Sequence, residues 1–292
     1  MSDAVVSASH LGKAIQGNAI LRDISVNATA GNVVGVIGKN GAGKTTLLEL
    51  LLGFSPPTSG SSTLFGHPSL TLPASIKQRI GFVPQQDELV SYITGAQQLA
   101  LTGSLYPHWN RALIDRLSRT WEVPLGQRTE TLSAGERQKL STLLALGHEP
   151  QLLVLDEPVS SLDPIARRQF LQQLLEIATD ESRTVLFSTH IVSDLERVAN
   201  QIWIVREGAI VWHGDLDSLK ESVVRVSIRA HTTLPDSLGI MNALTCRADA
   251  TRATVVVSDW HADAAGDLAR RLDADIEVEN LSLEDIFVEL HA

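Results

Sequence analysis

Cysteine is nearly missing from this chain. Cys246 is the one cysteine among 292 residues, so no internal disulfide can form and neither a cysteine-rich zinc site nor a redox pair can be built. Positive charge is also scarce. The 24 lysines and arginines face 34 aspartates and glutamates, a formal net charge of −10. A nucleic-acid binder normally carries a basic face, and this balance argues against one. It leaves a phosphate ligand open, because backbone N–H groups and a single lysine suffice to build such a site. No stretch reaches the roughly 20 consecutive apolar residues of a spanning helix, and Met1–His10 lacks the basic start and apolar run of a secretory signal. Any membrane role is therefore expected to come through a partner. Low-complexity segments, internal repeats and coiled-coil heptads are wanting as well.

What is present is ordinary globular usage, 43% hydrophobic and 20% charged, enough to bury a core. The pattern predicts one large domain over residues 1–219 and a smaller one over 220–292. In the first, short β-branched runs, Ile24–Val26 and Val33–Ile37, are divided by the turn at Ala30-Gly31-Asn32. Gly35-Val36-Ile37-Gly38 then runs into a glycine-rich loop and an apolar helical segment, Thr45–Leu52. Between about 91 and 148 the character turns helical, with three- and four-residue spacing in Ala112–Trp121 and Arg137–Leu146. Leu152–Leu155 and Val185–Phe187 are unbroken apolar runs, as expected of strands buried on both faces of a parallel sheet, with a helix, Ile165–Ile177, between them. Two more strands, Ile202–Val205 and Ile210–His213, flank Glu207-Gly208. The last 70 or so residues read as α+β: strands at Val224–Ile228 and Thr254–Val257, helices at Ala262–Leu272 and Leu283–Leu290.

Two motifs carry chemistry. Gly38-Lys39-Asn40-Gly41-Ala42-Gly43-Lys44-Thr45 fits the phosphate-loop pattern G-x-x-x-x-G-K-[ST] and sits between a predicted strand and helix. A triphosphate can be wrapped by backbone only where side chains do not intrude, and the helix that follows aims its unpaired N–H groups and positive dipole end at the phosphates. Lys44 is expected to reach the β- and γ-phosphates and Thr45 to offer its hydroxyl to Mg²⁺. Gly38, Asn40, Gly41, Gly43 and Thr46 complete the nucleotide-binding candidates. Downstream, Leu152-Leu153-Val154-Leu155-Asp156-Glu157 is a buried strand ending in two acids. That places them at the carboxyl edge of the sheet, where ligands bind in open α/β folds. Asp156 is the candidate Mg²⁺ ligand and Glu157 the candidate general base toward an attacking water.

The ordered set of motifs resembles the ABC transporter ATPases, over roughly Val5 to Leu216. Leu132-Ser133-Ala134-Gly135-Glu136 is similar to the signature usually written L-S-G-G-Q, Ser160-Ser161-Leu162-Asp163 to the D-loop, His190 to the switch histidine and Gln85 to the Q-loop glutamine. The resemblance implies a P-loop NTPase core with a mixed sheet, a helical signature subdomain and a small C-terminal α+β appendage. It implies ATP and Mg²⁺ as ligands, with Gln85 also sensing the metal. It implies a head-to-tail nucleotide-sandwich dimer, as a homodimer or with a related subunit, in which Ser133 and the Gly135 N–H meet the γ-phosphate from across the interface. His190 then contacts that phosphate and holds the water with Glu157, and Asp163 reaches the other subunit's phosphate loop. A separate integral-membrane permease, with this chain peripheral on the cytoplasmic face of the plasma (inner) membrane and no nucleic acid involved, completes the expectation. Leu105–Asn110 and the tail Ser282–Phe287 are similar to export-type members, among them ATPases of bacterial peptide-antibiotic export or resistance.

Four positions depart from the family pattern, the least telling being Val159, where Thr is common after Glu157-Pro158. Ala134 and Glu136 stand where Gly and Gln are usual, and Glu136 brings an acid to a helix start that is expected to bind phosphate. Ile15 is aliphatic where the family stacks an aromatic ring on adenine, which predicts looser discrimination against GTP. ABC ATPases that act on nucleic acid insert a long coiled coil between the Q-loop and the signature. Fewer than fifty residues separate Gln85 from Ser133, which leaves no room for one.

Overall fold

The structure is a computed structural model and describes residues 4–178, 183–235, 237–261 and 263–291. The chain divides into two compact units, Met1–His213 and Gly214–Ala292.

The first unit opens with a hairpin, β1 (Ala4–Ile15) and β2 (Asn18–Thr29). β3 (Val33–Ile37) leads through the glycine-rich loop into α1 (Lys44–Leu52). β4 (Ser59–Leu64) and the two-residue β5 (His67–Pro68) complete an antiparallel sheet of order β2-β1-β4-β5. The short α2 (Ala74–Lys77) precedes β6 (Ile80–Val83). Three helices follow: α3 (Gly95–Gly103), α4 (Arg111–Thr120) and α5 (Ala134–Leu146). The chain then returns to sheet with β7 (Leu152–Asp156), α6 (Pro164–Ala178), β8 (Thr184–Thr189), α7 (Val192–Val198), β9 (Gln201–Arg206) and β10 (Ala209–Asp215).

The second sheet has the order β10-β9-β3-β8-β7-β6. β6, β7, β8, β3 and β9 run parallel. Every residue of β7 and β8 is buried, which explains why their sequences do not alternate: helices cover both faces. Leu47, Leu48, Leu50 and Leu51 of α1 join Leu11, Ile24, Leu64 and Trp203 in one core that spans both sheets. Each such buried aliphatic chain contributes about 1.5–3 kcal/mol. The helical region is pinned by side-chain caps. Thr94 starts α3 and Asn110 starts α4 by accepting N–H bonds from Gln97 and Leu113. Trp109 lies over Gly103 and Gly147, where a Cβ would come within 3.0 and 2.3 Å of the indole. Tyr106 stacks on His148 at 4.1 Å. Both rings are packing residues.

Among the described residues the second unit is an antiparallel sheet with three helices. α8 (Leu216–Ser222), β11 (Val224–Ala230), β12 (Ala243–Ala248), β13 (Arg252–Val257), α9 (Ala264–Leu272), β14 (Ala274–Asn280) and α10 (Leu283–Leu290) follow in order, with the sheet arranged β12-β13-β11-β14. Ala262, at the expected start of α9, lies outside the described residues. Alternation on β11 turns Val224, Val226 and Ile228 inward, against Val255, Leu268 and Leu272. The alternate positions pair with acids on β14, with Arg225 opposite Glu279, Ser227 opposite Glu277 and Arg229 opposite Asp275.

Candidate nucleotide site

Strand order decides which residues can meet. β6, β7, β8 and β3 are consecutive neighbours running the same way, so their carboxyl ends share one edge. Gln85 follows β6, Asp156 and Glu157 close β7, His190 follows β8, and Gly38 follows β3. The register places Asp156 beside Ser188 and Ile37 beside Thr189.

The phosphate loop is shaped by one backbone requirement. Gly43 caps α1 at φ 106, a left-handed conformation, and a Cβ there would fall 2.6 Å from Leu21 Cδ2. With glycine as the cap, α1 begins without a side-chain cap and without an acid in its first turn. Its leading N–H groups are therefore left for an anion, with the positive end of the helix dipole behind them. Asn40 and Gly41 are exposed at the crest of the loop, Gly38 is buried at its base, and Thr45 and Thr46 are half-buried on the first helical turn.

Lys44 points inward. Its side chain is 7% exposed, and Nζ donates to the Gly38 carbonyl at 2.8 Å and lies 3.3 Å from Glu157 Oε1. The other oxygen of Glu157, Oε2, is 2.9 Å from His190 Nδ1. A carboxylate only accepts, so Nδ1 carries the hydrogen of that bond and Nε2 is the ring's remaining polar atom. Glu157 itself is 4% exposed and its backbone sits at φ 50, a conformation costly for a side-chain-bearing residue and concentrated at functional sites. Two buried opposite charges held this close offset each other's desolvation, and removing either would strand its partner.

Asp156 is 1% exposed. The Ser188 hydroxyl donates to Asp156 Oδ1, and the Glu157 N–H donates to Ser188 Oγ at 2.9 Å. Ser188 thus aims one acid and fixes the backbone of the next. It was not singled out from the sequence, although it is the last residue but one of β8, directly before Thr189 and His190. Among the described residues no three His, Cys, Asp or Glu side chains converge. The donor set at this edge suits Mg²⁺, which takes few protein oxygens and fills its octahedron with water and phosphate oxygens. The oxygens available are the Thr45 hydroxyl, the Gln85 amide and the Asp156 carboxylate.

The remaining expected residues lie elsewhere. Ser133 is exposed and caps α5. A Cβ on Gly135 would lie 3.1 Å from the Ser161 carbonyl, so the start of α5 abuts the 160–163 loop. Asp163 caps the start of α6, and the Ala166 and Ile165 N–H groups it accepts hold its carboxyl below the usual range. Ile15 closes β1, half exposed at 49%. Among the described residues no hydrogen bond joins Ser133, Gly135, Asp163 or Ile15 to the Lys44–Glu157–His190 cluster. A second link was not anticipated: Arg137 on α5 pairs with Asp87, two residues after Gln85, at 2.9 Å.

Residues 21–160 match the family described as ABC transporter. The ABC transporter ATP-binding protein NatA of Bacillus subtilis (strain 168) is 34% identical over 211 residues, covering 69% of this chain and 84% of that protein. The chain belongs to the ABC transporter ATP-binding proteins. The bacitracin transport ATP-binding protein BcrA of Bacillus licheniformis is 31% identical, over 68% of this chain and 65% of its own length. A solved ATP-binding subunit of an ABC transporter superposes with a TM-score of 0.66 at 26% identity, covering 74% of this chain and 92% of that one. The fold expected from the motifs, a P-loop core of the ABC ATPase type, is the one observed. As a member of this family the protein binds and hydrolyses ATP. Among the described residues no helix is long and apolar enough to cross a membrane.

Proposed function

We propose that this chain is the Mg²⁺-dependent ATPase subunit of an exporter, working head to tail with a second ATPase subunit on the cytoplasmic face of the plasma (inner) membrane. A separate integral-membrane permease anchors it there. The observation that carries the reading is the contact chain Lys44–Glu157–His190 at the sheet edge. It joins a cation for the β- and γ-phosphates, a carboxylate able to take a proton, and an imidazole that orients that carboxylate.

ATP enters with its phosphates over the bare N-terminus of α1. Lys44 exchanges the Glu157 carboxylate for phosphate oxygens, which leaves Glu157 to polarise a water held against His190. Thr45, Gln85 and Asp156 are the residues that would hold Mg²⁺, which when bound neutralises charge on the phosphate oxygens. The proton of the attacking water passes to Glu157. Among the described residues Ser133, Gly135 and Asp163 make no hydrogen bond to this cluster, which supports the view that they serve the nucleotide of a second subunit. ATP then draws two chains together, and loss of the γ-phosphate lets them part.

A protein partner is supported by a groove of about 460 Å³ in the ATPase unit, lined by Phe54, Leu70, Phe82, Tyr106 and Leu144 among others. Phe54 is 62% exposed there, and Leu105 nearby in sequence to Tyr106 is 73% exposed. Apolar side chains so open to water mark an interaction surface, and the occupant we assign is the permease. The Nod factor export ATP-binding protein I of Sinorhizobium fredii (strain NBRC 101917 / NGR234), 31% identical over 73% of this chain, supports export as the direction.

The test is Glu157→Gln. The variant should retain ATP and run as a dimer on a sizing column, with turnover reduced by at least about 100-fold, the scale of losing a general base. Unchanged turnover would remove Glu157 from its role.

A further inference from the structure

Glu136 departs from the usual signature, and the structure shows what its carboxylate does. Ser133 caps α5, accepting the Glu136 N–H on Oγ at 3.3 Å. In return Glu136 Oε2 takes both donors of Ser133: the backbone N–H at 2.7 Å and the hydroxyl at 2.8 Å. The box is closed on itself. The bonds from the Ser133 backbone and hydroxyl, with Lys139 adding a smaller effect, hold the Glu136 carboxyl below the usual range.

A serine hydroxyl has one hydrogen to give. A γ-phosphate oxygen near neutral pH accepts hydrogen bonds, so Ser133 can serve it only by withdrawing that hydrogen from Glu136. The same carboxylate also places a full negative charge at the N-terminus of α5, where the helix dipole would otherwise act on an incoming phosphate. Both features that make a signature helix attract phosphate are already taken by a residue of the same chain.

We infer that Glu136 is an internal competitor for the γ-phosphate: it holds Ser133 as a phosphate oxygen would, and so sets the nucleotide concentration at which two subunits close. Glu136 is a positioning residue acting through Ser133. The inference rests on the reading that Ser133 meets nucleotide held by a second subunit. Glutamine at this position keeps the capping box, because its amide oxygen still accepts from the Ser133 N–H. It offers a weaker acceptor to the hydroxyl and carries no charge.

The experiment compares full-length wild type, Glu136→Gln and Ser133→Ala for steady-state ATP hydrolysis with Mg²⁺. ATP-dependent dimerisation of each is followed in the Glu157→Gln background, and thermal melting of each without nucleotide serves as a control. Glu136→Gln should lower the KM for ATP and the ATP concentration for half-dimerisation by about five-fold, the gap between a charge-assisted and a neutral hydrogen bond, with a smaller change in kcat and an unmoved melting temperature. Ser133→Ala should raise both midpoints. If Glu136→Gln leaves both midpoints in place while Ser133→Ala raises them, Glu136 is only a cap and the inference is overturned. If Ser133→Ala moves neither, the reading that Ser133 contacts nucleotide fails, and the inference goes with it.

Discussion

The two units treat charge in opposite ways. In the ATPase unit Lys44, Asp156 and Glu157 are almost wholly buried and each is held by named partners at the sheet edge. In the C-terminal unit the charges lie on the outer face of the sheet, in cross-strand pairs such as Arg225 with Glu279, whose carboxylate is 64% exposed. Charges that shed their water so completely cost several kcal/mol each and are kept where chemistry uses them. Charges that stay wet contribute about 1 kcal/mol or less. The first unit therefore gives up stability to hold a site, whereas the second draws its stability from Val226, Ile228, Val255 and Leu272 beneath a solvated face.

The comparison can be broken most severely at Lys44. Lys44→Ala should abolish nucleotide binding, with affinity falling by at least about 100-fold by calorimetric titration, and unaltered affinity would refute the phosphate assignment. Next comes Ile228→Ala in the second unit. It should cost about 2–5 kcal/mol of stability in that unit's unfolding transition while leaving ATP affinity within two-fold or so. If ATP affinity collapsed as well, the two units would not be separable in the way their cores suggest.

A smaller effect belongs to His148. Burial pushes its pKa down, although the bond from the ring to the Ile80 carbonyl opposes this. The folded state therefore favours the neutral ring. The stabilisation is complete above the unfolded pKa of about 6.5 and is lost as pH falls from there toward the depressed folded value, with a slope of at most about 1.4 kcal/mol per pH unit. His148→Phe should keep the stacking on Tyr106 and flatten that slope in urea titrations between pH 7 and 5. The smallest change is expected at Ile15. GTP should compete with ATP at less than a hundredfold disadvantage in the wild type, and Ile15→Tyr should improve the preference for ATP by about three- to ten-fold. A wild-type preference above a hundredfold would contradict the aliphatic-platform reading.

Much of the ATPase unit could be read from sequence because its buried parallel strands and phosphate loop leave unbroken local patterns. Leu152–Leu155 and Val185–Phe187 were visible as apolar runs, and their ends located the acids and His190. β2 was seen only at Ile24–Val26, because it is an edge strand and its outward Arg22, Asp23 and Asn27 interrupt the run. The same physics hid β12 and β14, the two edges of the C-terminal sheet. Asp275, Glu277 and Glu279 alternate with Ile276 and Val278, yet three acids in so short a segment read as solvent rather than strand. Ser188 and the Arg137–Asp87 pair were not legible because they depend on register and on packing between distant segments. The contents of the Glu136 box were legible as a spacing, but which donors the carboxylate would take was not.

The Arg137–Asp87 pair has a mechanical consequence. These residues are fifty positions apart in the chain, and between them run α3, α4 and the start of α5. Their ion pair clips the helical lobe shut at its neck, beside the segment that carries Gln85. Holding the two ends of this stretch together limits how far the lobe can move independently of the segment that carries Gln85. The clip is only partly shielded from water, so raised ionic strength is expected to weaken it.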